Sequence, residues 1–117
     1  IIETPLNKEG GFAVIDDIIK SKSSAIFATN DEMAIGIMRG LADKGFHVPN
    51  DISVIGFDNI DIAKYLVPSL TTVAQPIKEI GEAALALITH KLNQNDATLH
   101  NVALHNELVI RETTQHF

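Results

Sequence analysis

The sequence predicts an α/β protein, a parallel sheet flanked by helices. The nine residues DISVIGFDN (51–59) carry an apolar run from Ile52 to Phe57, relieved at Ser53 and Gly56. Such a run without polar alternation suits a central strand covered on both faces, as parallel sheets require. Two further short apolar stretches, AIFA (25–28) and LTTVA (70–74), read as strands. Helical patterns stand between and after them. Strand, helix, strand, turn, strand, helix is α/β order, with right-handed crossovers expected.

Along the chain, a polar lead over 4–11 precedes Phe12, Ile15, Ile18 and Ile19, which recur at helical spacing, and 20–24 close that helix. The strand 25–28 stops at Thr29-Asn30-Asp31-Glu32, cap residues followed by acids in a first helical turn. That helix runs to Lys44, and Gly45 is placed to end it in the left-handed conformation. Its apolar residues, Met33 to Ala42, cover more than one stripe, so one face can pack on a sheet while the rest needs a second partner. Gly36 and Gly40 form a GxxxG within it, which permits close helix contact, although tight packing on the sheet is the commoner use in a soluble protein.

Pro49-Asn50-Asp51 turns the chain into strand 52–57, and a short segment 60–66 leads to Pro68 and strand 70–74. Pro76 suits the first position of a helix, with Ile77, Ile80, Ala84, Leu87 and Ile88 as its stripe as far as Leu92. A polar loop over 93–98 follows, and 99–112 alternates enough to be extended. No repeat or low-complexity stretch interrupts the 117 residues, a length that suits one compact domain or a piece of a larger one.

Composition removes several function classes. A net charge of −6 and a pI near 5.2 make the chain a poor match for a phosphate backbone by itself. The absence of cysteine removes disulfides and thiolate metal sites. No apolar stretch approaches a membrane span. The opening IIETP, with neither Met nor a basic leader, reads as the start of a fragment. No GxGxxG, P-loop or nucleophile elbow is present, and His47, His90, His100, His105 and His116 lack zinc spacing. Neither catalytic residues nor metal or cofactor ligands are expected.

Candidate binding residues stand at the strand ends: Asn30, Asp58 and Gln75. If the strands are parallel neighbours, these three lie along one rim, where an open α/β sheet places its ligand. A carboxylate accepts from two adjacent hydroxyls, and carboxamides donate and accept at once, which is the chemistry of a polyol site. Each residue alone has an ordinary structural use, as a helix cap or turn. A rival reading takes FAVIDD (12–17) as the acidic strand end of a phosphorylation receiver domain, with Asp58 as phosphoacceptor. The helical period through Ile15, Ile18 and Ile19 and the lack of a lysine after a late strand count against it.

The strings TNDEMAIGIMRGL (29–41), VPNDISVIGFDN (48–59), AKYLVPSLTTVAQP (63–76), GEAAL (81–85) and ELVIRETT (107–114) resemble the regulatory region of lactose/galactose-repressor-type transcription factors, from Gly10 onward. Periplasmic sugar-binding proteins of transport systems share the ND--A-G element and form the alternative. The resemblance implies a two-lobed, periplasmic-binding-protein-like (type I) core, of which this chain is the C-terminal part. It implies a second lobe of about 1–75 and 106–117, and a crossover of about 76–105 belonging to the first lobe. The family's effector residues fall on Asn30, Asp58 and Gln75. The resemblance further implies a cytoplasmic bacterial repressor whose operator affinity is switched by a small-molecule effector, expected to be a sugar, although some relatives bind purines or a phosphoprotein. Operator DNA is expected to be bound only through an N-terminal helix-turn-helix absent from this chain, with no membrane partner. A homodimer is expected too, with Ile35, Met38, Tyr65 and Leu66 as its interface, since the helix 31–44 has more apolar surface than one sheet contact covers.

Overall fold

In the computed structural model of the protein, which describes residues 1–94 and 101–115, four strands line up in their sequence order. They are β1 (Ala25–Phe27), β2 (Ser53–Asp58), β3 (Thr71–Ala74) and β4 (Glu107–Val109). β1 and β2 run parallel with Ile26 opposite Val54, and β2 and β3 run parallel with Asp58 opposite Ala74. Burial along β2 alternates: Val54 and Gly56 are buried while Ser53, Ile55 and Phe57 are only partly so. One face of the strand is covered, and the other, expected to be covered as well, is half-open.

The chain divides into two compact units, residues 1–74 with 108–117 and residues 75–107. In the first, α1 (Lys8–Ala13), α2 (Ile15–Ser21) and α3 (Asp31–Asp43) accompany the sheet, and α3 packs on both α1 and β2. Its core centres on Ala34, Ile37 and Leu41 of α3, Val54 of β2 and Leu70. Gly45 ends α3 with φ of +79°, the left-handed geometry expected there.

The polar lead turns helical from Lys8 onward. Asn7 caps α1 by accepting from the Gly10 amide at 2.8 Å, and Gly10 and Gly11 are buried. Each glycine leaves room for backbone that passes close by: at Gly10 the Pro5 carbonyl, and at Gly11 the start of α3. A Cβ at Gly11 would run into the Met33 carbonyl, and one at Gly36 into that of Lys8. Gly36 and Gly40 therefore serve close helix contact, Gly40 against Ile15, rather than packing on the sheet. Residues 12–17 lie across α1 and α2, so the acidic strand end of a receiver domain does not form.

Residues 61–65, expected as a short connecting segment, form a 3₁₀ turn. Within the second unit, α4 (Ile77–Gln94) follows Pro76, whose carbonyl accepts from the Ile80 amide at 2.9 Å. Of the extended segment expected over 99–112, β4 alone is strand among the described residues. Val102 and Leu104, whose alternation suggested it, are 53% and 38% exposed, so their pattern reflects no buried face. Most of the loop expected over 93–98, with His100 and His116, lies outside the described residues. No helix among the described residues is long and apolar enough to cross a membrane.

Candidate functional site

The three parallel strands present their carboxyl ends along one rim, and the expected binding residues follow from there. Asn30 stands three residues beyond the end of β1, Asp58 ends β2, and Gln75 follows Ala74, the register partner of Asp58. Their local roles differ. Asn30 caps α3: its Oδ1 accepts from the Met33 amide at 2.8 Å, and its Nδ2 donates to the Leu6 carbonyl at 3.2 Å. That is the ordinary structural use of the residue, satisfying an orphan helix donor. Gln75 is partly buried and groups with residues 75–107.

Asp58 is the unusual member. It is partly buried and has φ of +111°, followed by Asn59 at +54°. Asn tolerates the left-handed region, but a side chain at +111° is strained, at a cost of roughly 1–3 kcal/mol. Two consecutive residues of this kind turn the chain sharply at the strand end. Residues held in such conformations cluster at ligand sites.

Beneath this turn lies a polar cluster that sequence reasoning missed. Asp31 is fully buried. Its Oδ1 accepts from the Thr72 hydroxyl at 2.6 Å, and its Oδ2 accepts from the Ile60 amide at 2.9 Å. The Thr72 oxygen also accepts from the Asn59 amide at 3.3 Å. A buried carboxyl survives because its oxygens are paired in this way at the N-terminus of a helix. Two signals in the sequence point to it. Gly56 interrupts a buried strand, and a Cβ there would collide with Asp31 Oδ1. Thr71 and Thr72 are polar residues in a strand buried on both faces, so each needs a polar partner.

The segment after β4 supplies the remaining partners. Thr113 is fully buried, donates through Oγ1 to the Val54 carbonyl at 2.7 Å and accepts from the Thr71 amide at 2.8 Å. Arg111 donates from Nη1 to the Leu70 carbonyl and from Nη2 to Asn59 Oδ1, both at 2.6 Å. The Glu112 carboxylate accepts from the Ser69 amide at 2.8 Å and its hydroxyl at 2.9 Å, which lowers its pKa from the ordinary 4.5.

The expected interface residues separate. Ile35, Met38 and Leu66 line one shallow apolar groove of about 380 Å³, together with Phe46, Val48 and Val67. Val67 there is 95% exposed. Tyr65 does not line this groove. It is 66% exposed, with the Lys64 ammonium 4.9 Å from its ring centre. Among the described residues, no group of three or more His, Asp or Glu is placed to hold a metal ion.

A periplasmic binding protein-like domain matches residues 3–114. The chain belongs to that family. An HTH-type transcriptional repressor PurR from Vibrio atlanticus (strain LGP32) is 38% identical over 117 residues, covering 98% of this chain and 35% of the relative. Catabolite control protein A from Priestia megaterium is 34% identical over the same length, covering 98% of this chain and 35% of the relative. A LacI family transcriptional regulator from Enterococcus faecalis V583, solved with bound ribose, superposes with a TM-score of 0.90 at 41% identity, covering 97% of this chain and 42% of that one. The chain thus spans about a third of the length of the curated relatives it matches. Within the family, its likeness is to the effector-binding core of the LacI-type regulators.

Proposed function

We propose that this chain is part of the effector-binding region of a bacterial transcriptional repressor, with Asp58 as the residue that holds a sugar. The observation that carries the reading is the end of β2. A buried central strand stops in a carboxylate at φ of +111°, at the rim where open parallel sheets bind ligands. Asn30 and Gln75 complete the site from the ends of the neighbouring strands. D-ribose is the sugar to test first, because the similar Enterococcus faecalis regulator holds ribose. Residues of about 76–105 belong to the opposite lobe in this reading, and a helix-turn-helix elsewhere in the full-length protein binds operator DNA in the cytoplasm.

The regulator acts as a homodimer in this reading, with Ile35, Met38 and Leu66 meeting their counterparts across a two-fold axis. The groove supports it, since apolar residues line it and Val67 stands almost wholly exposed beside it. Met38→Glu in the full-length protein is expected to shift sedimentation toward monomer; an unchanged dimer places the interface elsewhere.

Titration calorimetry of the full-length protein with D-ribose tests the site. A hydrogen bond to a charged group contributes about 1.5–3 kcal/mol, so Asp58→Ala is expected to weaken binding by at least roughly tenfold for each bond lost. Operator binding without sugar is expected to persist, because effector shifts the equilibrium only by its differential affinity for the two states. Ribose binding by the variant as tight as by wild type would make Asp58 a turn residue.

A further inference from the structure

We infer that Arg111 is a positioning residue for Asp58: it braces the left-handed turn at Asp58–Asn59 from the segment that follows β4. The inference deepens the reading above and rests on it for its ligand, but its first readout needs no ligand.

The argument starts from the turn. Asp58 and Asn59 take φ of +111° and +54°; an asparagine tolerates the second, but the first does not hold itself in an L-residue. Extended backbone would relieve Asp58 and re-aim its carboxylate, so the turn persists only where its surroundings hold it. Two bonds fix the backbone beyond Asp58. The Asn59 amide reaches Thr72 Oγ1 at a long 3.3 Å, and the Ile60 amide reaches Asp31 Oδ2 at 2.9 Å. The side chain of Asn59 is held by Arg111 Nη2 at 2.6 Å, shorter than either.

Arg111 is itself held. Its Nη1 donates to the Leu70 carbonyl at 2.6 Å, and its backbone amide donates to Thr71 Oγ1 at 2.9 Å. Leu70 and Thr71 lie at the opposite end of β3 from Ala74, the partner of Asp58. The guanidinium thus forms a strut from the start of β3 to the turn after β2, through a chain separation of 52 residues. A planar fork with donors on separate nitrogens makes both bonds at once, and the single ammonium of lysine does not match that geometry.

The competing explanation is that Arg111 merely secures the return segment by capping Leu70. The two differ in what moves when it is changed. Nuclear magnetic resonance of the 117-residue chain gives the first readout. Arg111→Lys, the milder variant, and Arg111→Met are both expected to shift the backbone signals and amide–Hα couplings of residues 58 and 59 toward extended values. The signals of the core around Val54 and Leu41 are expected to stay in place. Calorimetry of the full-length protein with D-ribose gives the second. Arg111→Met and Asn59→Ala are each expected to weaken ribose binding about tenfold, and the double variant little further, because both remove the same bond. Unchanged couplings at 58 and 59 in Arg111→Lys overturn the inference, as do additive effects in the double variant. Should wild type not bind ribose, the sugar assignment fails, and the couplings alone decide whether Arg111 holds the turn.

Discussion

Two helices of similar apolar content meet opposite fates in this molecule. In α3, Ala34, Ile37 and Leu41 are at most 2% exposed. In α4, Ile77, Leu85 and Ile88 are 65%, 66% and 58% exposed. The difference lies in what each helix has beside it. α3 rests on β2 on one side, and its Gly36 admits the backbone of α1 on another. Among the described residues of 75–107, none covers α4 in that way. An apolar stripe on a helix states which face wants a partner; the partner must be found in other residues.

The sharpest way to break this comparison is to cut the same side chain from both helices. Leu41→Ala is expected to destabilise the chain by about 2–5 kcal/mol, the usual range for a buried leucine whose cavity cannot collapse fully. Leu85→Ala is expected to fall within about 0.5 kcal/mol, as exposed substitutions do. Urea denaturation of the two variants measures both. A comparable loss for Leu85→Ala would show that α4 buries this residue after all. In the full-length protein, a cost for Leu85→Ala that rises toward that of Leu41→Ala would support the assignment of α4 to the opposite lobe.

An effect of comparable size tests the comparison from the polar side, because the first unit also buries hydrogen-bonding groups. Asp31→Ala leaves the Thr72 hydroxyl and the Ile60 amide without their acceptor. Each orphaned group costs roughly 1–3 kcal/mol. Asp31→Asn is expected to cost less but not nothing, since the amide replaces one acceptor oxygen by a donor that faces another donor. Thermal unfolding of the two variants measures the order. If Asp31→Ala costs no more than an exposed substitution, the cluster beneath Asp58 is not a structural unit.

What the sequence made legible follows from the same physics. The strands ending near Phe27, Asp58 and Ala74 were readable as apolar runs bounded by turn residues. Burial on both faces does not follow from such a run: β1 is largely exposed, and β2 buries one face more than the other. α3 was readable from its cap and from Gly45. α1 was not, because Gly10-Gly11 lowers helix propensity, and the reason for Gly11 lies in another helix, at Met33. Alternation over 99–112 marks a paired strand only at β4, because Val102 and Leu104 are exposed and their alternation carries no buried face. Asp31 was read as one more acid in a first helical turn. Its burial depends on Gly56 and Thr72, which are distant in the chain, and a pattern read locally does not bring them together.

The smallest expected effect concerns the return segment, which closes on the sheet through polar bonds rather than an apolar core. Glu112 is its acidic member. The Ser69 amide, and then the Ser69 hydroxyl, stabilise the charged carboxylate and hold its pKa below the ordinary 4.5. A carboxylate whose folded pKa is depressed binds its proton more readily when unfolded. Its contribution to stability is therefore present above the unfolded value and fades as pH falls through the folded one. Glu112→Gln removes the charge and keeps the shape. Wild type is expected to be the more stable of the two at pH 7, by an amount that solvent screening keeps small at this exposed site. The gap is expected to hold to about pH 5 and then close toward pH 3, as the wild-type carboxylate takes up its proton. Urea midpoints of both proteins across that range provide the check. A gap that stays constant with pH would mean that the bonds to Ser69 serve the neutral side chain equally well, and that charge plays no part in closing the segment.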